Sequence, residues 1–258
     1  MTGLDAHDEL VTAERHQRLS VWAGFGFAPV FLVGFAIVAG FIPPPSPGLD
    51  AAAVAHLFAE NRARIRAGIW IACAAAPLLA FYVAALSHQL RRIAGPSSPL
   101  VTAQTVAGSC LILEFLFPQL AWQTAAYRAE RDAATIQMLN DLAWLPFVGI
   151  VGTAMVQMLI VALIVLQDRR PEPLLPRWSA YLNVWAALGV ASGSLVVFFK
   201  DGPLAWNGLL AWYLLCVSFF VWMVAMTRLM LRAGRRVEAE AGVASTVTAD
   251  AGEGLRAR

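Results

Sequence analysis

Two long runs without a charged side chain constrain this sequence more than any other feature. They cover residues 178–199 and 206–227, each is 22 residues long, and a polar connection of six residues joins them. About 20 helical residues cross the hydrocarbon core of a bilayer. Neither run has the polar face with a 3.6-residue period that a helix in a soluble protein needs. We therefore predict a hairpin of two transmembrane helices.

Composition and hydrophobic runs extend this prediction to the whole chain. Hydrophobic residues make up 59% of the 258 residues and charged residues 14%, which is typical of polytopic membrane proteins. Further apolar runs predict spans at 21–42, 67–86, 100–121 and 142–166. The predicted fold is all-α, a bundle of six transmembrane helices with one or two short helices on the outer surface. Asp50 is a typical N-cap for one of them, over residues 51–66.

We predict three regions along the chain: a cytoplasmic N-terminal segment over residues 1–19, a six-span transmembrane domain over residues 20–232, and a disordered cytoplasmic tail over residues 233–258. With six spans, both termini lie on one side. That side receives thirteen of the 19 Lys and Arg residues and the opposite side six. Because basic loops stay inside the cell, we expect a multi-pass protein of the cytoplasmic membrane with both termini in the cytoplasm.

Several function classes lack the residues that they require. The net charge of +2 and the scattered basic residues give no surface for nucleic acid. No histidine lies deep in a predicted span, which removes the ligands of paired haem sites and of histidine-rich di-iron sites. No GxxxxGK[ST] motif is present to bind a nucleotide. We expect no metal, no cofactor and, at the three cysteines, buried free thiols.

Glu114 is the one acidic residue inside a predicted span. A carboxyl group at this depth costs a few kcal/mol and is by default a candidate functional group. Pro118 lies four residues later and has no N–H, so the Glu114 carbonyl loses its helical partner. Two interpretations stay open: a proton or cation site that faces a cavity, and a protonated carboxyl group bonded to a neighbouring helix. On the fourth span, Gly149, Thr153 and Gln157 share one face, which indicates a helix contact.

A second group of candidate residues lies at the outer ends of the spans. All of its members share the outer face in the predicted topology. They are Tyr127, Arg128, Asn140, Asp141, Trp144, Lys200, Asp201, Trp206 and Asn207. Lys200 either extends outward or turns toward Asp141 or Glu114. An ordered polar lid and a ligand vestibule both fit this pattern.

Three stretches resemble a known family. They are Leu139-Asn140-Asp141-Leu142-Ala143-Trp144, then Pro176-Arg177-Trp178 with Tyr181-Leu182-Asn183, and the connection Phe198-Phe199-Lys200-Asp201-Gly202-Pro203-Leu204-Ala205-Trp206-Asn207-Gly208. Together they resemble a family of polytopic membrane proteins from high-GC bacteria, over residues 42–231. That family has no assigned activity, so the resemblance implies a membrane location and a helical fold, and no catalytic residues.

Three functions remain open after these steps. The one that the sequence favours is a non-enzymatic accessory or scaffold protein of the cytoplasmic membrane. The second is a carrier for a proton or for a small apolar or weakly acidic solute, with Glu114 as its site. The third is a membrane enzyme with a polar site on the outer face. The expected partners are the lipid bilayer and either a membrane protein or a second copy of the chain.

Overall fold

The computed structural model describes the backbone of residues 3–256 and the side chains of residues 11–240 and Gly242. Regular structure in this part of the chain is helical throughout, with no strand. The α-helices in chain order are α1 (Gly3–Phe25), α2 (Phe27–Leu32), α3 (Ala51–Ala75), α4 (Leu78–Ala94), α5 (Pro99–Tyr127), α6 (Ala133–Gly149), α7 (Gly152–Gln167), α8 (Trp178–Ala191) and α9 (Leu215–Arg256).

These helices form six membrane spans within the described residues, which confirms the predicted all-α bundle. The spans are Val11–Val38, Ala51–Ala94, Pro99–Tyr127, Ala133–Gln167, Trp178–Phe198 and Leu209–Glu240. Their length and apolar character place the chain in a lipid bilayer as a multi-pass membrane protein. We call the end of the bundle near Glu14, Arg92 and Trp178 the terminal face. The other end, near Asp50, Tyr127 and Asp201, is the opposite face.

Residues 51–66 differ from the sequence prediction. They form the first part of the continuous helix α3 rather than a separate surface helix. Asp50 does cap this helix, because its Oδ1 accepts a hydrogen bond of 2.8 Å from the Ala53 N–H. The helix then continues to Ala75, just before Pro77, since no proline interrupts it earlier. Residues 122–127 likewise extend α5, and only residues 128–132 form a loop on the opposite face.

Several spans contain a turn that is not α-helical. The first span ends in π-helical geometry over Val33–Val38, and the sixth begins in it over Leu209–Leu214. The fourth span is interrupted between Gly149 and Gly152, just after Pro146. The fifth ends as a 3₁₀ helix over Ser192–Phe198. Such turns leave carbonyl and N–H groups outside the regular α-helical pattern and often occur at functional sites.

An aromatic cluster forms the centre of the bundle. Phe35 is fully buried, and its ring lies 5.2–6.1 Å from six other aromatic rings, which belong to Phe31, Phe41, Trp122, Trp144, Phe147 and Trp212. Edge-to-face and offset pairs at this spacing add to the energy of simple burial. This cluster fixes the first span against the fourth and sixth.

The last helix extends beyond the predicted domain boundary at residue 232. Arg236, four residues further on, pairs with Glu172 at 2.8 Å and with Glu240 at 2.8 Å. Glu238 pairs with Arg18 on α1. Disorder over residues 233–258 stays a prediction, since the side chains beyond Gly242 and residues 257–258 lie outside the described residues.

Candidate functional site

A cavity of about 80 Å³ lies beside the aromatic cluster. Its wall is apolar and mostly aromatic, and it is formed by side chains from all the spans except the second. The aromatic part of the wall consists of Phe31, Phe35, Phe115, Phe147, Trp212, Phe219 and Phe220. Small-molecule sites in proteins typically combine a wall of this type with very few polar groups.

Glu114 supplies the one carboxyl group among the described residues that line this cavity. The Thr153 hydroxyl donates a hydrogen bond to its Oε1, and its Oε2 is buried without a hydrogen-bond partner among the described residues. Glu114 lies 15 residues after Pro99 and 13 before Tyr127, the two ends of α5. At a rise of 1.5 Å per residue, the carboxyl group is about 20 Å from either end of that helix. It therefore lies near the middle of the membrane.

Three of the irregular turns meet at the cavity. Phe35 belongs to the π-helical turn of the first span and Trp212 to that of the sixth. Ile150 and Val151 form the interruption of the fourth span, and both line the wall. Discontinuous helices near the bilayer midplane surround the substrate sites of many transporters. These three irregular turns of the backbone thus lie at the wall of the cavity.

The cavity reaches the outer surface of the bundle. Of its lining residues, Ile42 is 40% exposed and Ile150 is 49% exposed, although both belong to the apolar part of the chain. Exposed apolar side chains at this position contact lipid tails in a membrane protein. Residues that line the cavity therefore also reach the apolar surface of the bundle.

The predicted outer group is partly assembled. Asp141 interacts electrostatically with Lys200 and with the Asn140 side chain, but among the described residues it forms no ion pair shorter than 4.0 Å. Trp206 stacks on Trp144 with ring centroids 6.2 Å apart, and its indole N–H donates a bond of 2.7 Å to the Pro45 carbonyl. These contacts join the loops of the opposite face.

The remaining members of the outer group lie apart from the cavity. Arg128 pairs with Glu130 at 3.5 Å and lies over the Tyr127 ring. Asp201 is exposed and Asn207 half-buried. Neither Asp141 nor Lys200 lines the cavity, so the structure does not join them to Glu114. The alternatives of an ordered lid and a ligand vestibule for this group stay predictions.

A buried charged cluster on the terminal face was missing from the sequence prediction. Glu14 is 1% exposed and pairs with Arg92, and His88 Nε2 lies 3.9 Å from the same carboxyl oxygen. Asp168 is also buried and accepts hydrogen bonds from the backbone N–H groups of Arg170 and Leu174. The signal in the sequence is a spacing of three and four residues that puts Glu14 on one helix face with Gln17, Val21 and Gly24, all of them buried.

Within the described residues, no group of three or more His, Cys, Asp or Glu side chains is placed to hold a metal ion. The fold and the cavity define the class: a polytopic integral membrane protein with one acidic group in an intramembrane cavity. No protein-family model matches the chain, and no curated protein or solved structure is significantly similar to it. The family resemblance of the three stretches stays a prediction.

Proposed function

We propose that this protein binds a small, mostly apolar molecule that it takes up from the bilayer, and that Glu114 holds the one polar group of that molecule. The observation that supports this proposal most directly is the position of the Glu114 carboxyl group. Its Oε2 is buried at the wall of the cavity without a partner among the described residues. Of the three functions predicted from the sequence, this geometry favours the carrier.

The unpaired Oε2 atom of Glu114 favours a binding role for this residue over a purely structural role. Buried polar atoms in folded proteins are hydrogen-bonded in the great majority of cases. A glutamate that only joins two helices is expected to use both carboxyl oxygens, whereas Glu114 uses one of them on Thr153. An unpaired carboxyl oxygen in an apolar wall is the arrangement that fixes the orientation of a ligand.

The chemistry of the ligand follows from the wall and from the carboxyl group. A carboxylate accepts hydrogen bonds, so the matching group is a donor, an amine or a hydroxyl. The cavity volume of about 80 Å³ is roughly half of the ~150 Å³ that admits benzene in an engineered cavity. The molecule is therefore narrow, such as an alkyl chain, and its far end extends past Ile42 and Ile150 into the lipid.

The orientation in the membrane is part of the proposal. The excess of arginine on the terminal face supports a cytoplasmic position for both termini, by the positive-inside rule. In this orientation the cavity is open to the middle of the bilayer, and the Asp141 and Lys200 lid faces outward. A scaffold role, an enzymatic role and a protein partner stay predictions.

Photolabelling in nanodiscs tests the proposal. Three probes carry a diazirine at the end of the same short alkyl chain and differ only in the head group, which is an amine, a hydroxyl or a carboxylate. We expect the amine and the hydroxyl to label peptides that contain Phe147 or Trp212, detected by mass spectrometry. Glu114→Gln should lower the labelling by the amine at least tenfold, because the amide carries no charge.

Glu60→Gln is the matched control, since it makes the same change at an exposed position of α3. It should leave the labelling pattern unchanged. Labelling of the cavity peptides that is equal for all three head groups, or equal in wild-type protein and Glu114→Gln, would exclude Glu114 as the site of the polar group.

A further inference from the structure

We propose that a water-filled proton path connects the terminal face to Glu114 along the contact between α4, α5 and α7. This inference rests on the proposed function, because it supplies a proton to the same carboxyl group. A proton that arrives there neutralises the carboxylate and releases a cationic ligand. The protein would then exchange protons for its ligand.

The upper part of the path lies on α7. Thr153 donates its hydroxyl hydrogen to Glu114, and Gln157 follows one helical turn closer to the terminal face. Gln157 is 1% exposed, and its Nε2 has no hydrogen-bond partner among the described residues. A buried amide that remains unpaired at the meeting point of three helices is a typical binding position for an internal water.

The middle of the path lies between α5 and α4. Gly108 provides the space for Gln157, because a Cβ at Gly108 would lie 2.3 Å from the Gln157 Nε2. Gln104, one turn further toward the terminal face, is fully buried, and its Oε1 lies 3.4 Å from Ser87 Oγ. Ser87 Oγ is also 2.7 Å from the Thr105 hydroxyl. These hydroxyl and amide groups both donate and accept hydrogen bonds.

The path ends at the buried charged cluster. His88 follows Ser87 on α4, its Nε2 lies 3.9 Å from Glu14 Oε1, and Arg92 pairs with the same carboxyl group. Oε2 of Glu14 and Nε2 of His88 have no hydrogen-bond partner in the described part of the chain. Arg18 of the same helix, together with Arg235 and Glu238 of α9, lines a small pocket with Glu14. This pair of a proton donor and a proton acceptor lies at the terminal face, where the proposed path begins.

The polar groups lie at distances along α5 that single waters can connect. Gly108 marks the depth of the Gln157 amide, which lies against it. Along α5, Glu114, Gly108 and Gln104 are separated by six and four residues, or about 9 Å and about 6 Å. Each of these distances has the length that one or two hydrogen-bonded waters span. At the Glu114 end, Cys216 is the one other titratable side chain on the described wall of the cavity, so Glu114 is the group that receives the proton.

Infrared spectroscopy of the protein in nanodiscs tests the path. Glu114 in its protonated form gives a carboxyl band that is identified by its loss in Glu114→Gln, and transfer into D₂O shifts the band when the proton exchanges. We expect Gln157→Met and Gly108→Ala to slow this exchange at least tenfold. The first removes the polar group at similar volume, and the second pushes a methyl group into the position of the amide.

Ser109→Ala is the control, because Ser109 is exposed next to Gly108 and its hydroxyl donates to the Thr105 carbonyl of its own helix. Exchange at the wild-type rate in both Gln157→Met and Gly108→Ala overturns the path. So does the lack of a Glu114 carboxyl band between pH 4 and pH 9 in folded protein. Photolabelling of the cavity by the alkylamine probe is measured on the same samples, so a failed path with intact labelling leaves the proposed function standing.

Discussion

The backbones of Gly34 and Gly68 are in direct contact. A Cβ at Gly34 would lie 2.5 Å from the Gly68 carbonyl oxygen, and a Cβ at Gly68 would lie 2.4 Å from the Gly34 carbonyl oxygen. Glycine pairs of this type let two membrane helices approach closely enough for extended van der Waals contact. The contact holds the π-helical turn of the first span, and with it Phe35, against α3.

Alanine at either of these glycines should destabilise the protein. Because the two nearest atoms at each glycine belong to the backbone, they cannot move aside. We therefore expect the free energy of unfolding to fall by about 2 kcal/mol or more. Thermal unfolding in detergent measures the effect. Gly152→Ala is the matched control, since no atom lies within 4 Å of its Cβ position. Equal stability of Gly34→Ala and Gly152→Ala would show that the helices are further apart than described.

Glu114→Leu should stabilise the protein while it abolishes ligand binding. A carboxyl group in the membrane interior is unfavourable, and leucine fits the apolar wall, so we expect a gain of about 1–2 kcal/mol. Unfolding by heat or by denaturing detergent shows whether the substitution raises or lowers the stability of the protein. A marked loss of stability would instead support the structural interpretation, in which Glu114 serves as a link to Thr153 on α7.

The bond between Trp222 and Asn183 should contribute measurably to the contact between α8 and α9. The Trp222 indole N–H donates to Asn183 Oδ1 over 2.7 Å, and both residues are buried. A double-mutant cycle with Trp222→Phe and Asn183→Leu should give a coupling energy of about 0.6–1.7 kcal/mol. Additive effects of the two substitutions would mean that the bond is not formed in the membrane.

The first turn of α6 should depend on pH. The hydrogen bonds that Asp132 accepts from the Thr135 hydroxyl and from the Thr135 N–H lower the pKa of its carboxyl group. Because the folded pKa is lowered, the cap is formed above the ordinary value near 4 and is lost as the pH falls through the folded pKa. Hydrogen exchange at residues 133–136, corrected for the intrinsic rate, should therefore speed up below about pH 4. Asp132→Asn caps the helix at every pH and should remove this dependence.

The spans could be predicted because the bilayer sets a minimum length for an uncharged helix. That physical limit acts on each segment separately, so no knowledge of the neighbouring helices is needed. The prediction of a separate surface helix over residues 51–66 is wrong, because it depended on charged residues such as Arg62 and Arg64. In the structure these residues lie on the continuous helix α3, and their side chains donate hydrogen bonds to the carbonyl groups of Ala129 and Ile37.

Glu114 is the part of the candidate site that the sequence predicts. It is recognisable in the sequence because a carboxyl group inside a membrane span is energetically unfavourable on any face of the helix. Thr153 and Gln157 were expected on a helix contact, but the register of α7 against α5 decides which of them meets Glu114. The cavity wall depends on packing among five spans, and a single sequence does not give that packing.

The carboxyl group of Glu14 is covered late in the synthesis of the chain. Its carboxyl group meets Arg92 from α4, but Gly234 of α9 closes the other side, with a Cβ position only 3.1 Å from Glu14 Oε2. The ribosome makes the first helix more than 200 residues before Gly234. Helix α9 therefore covers Glu14 Oε2 only after the spans between them have been synthesised.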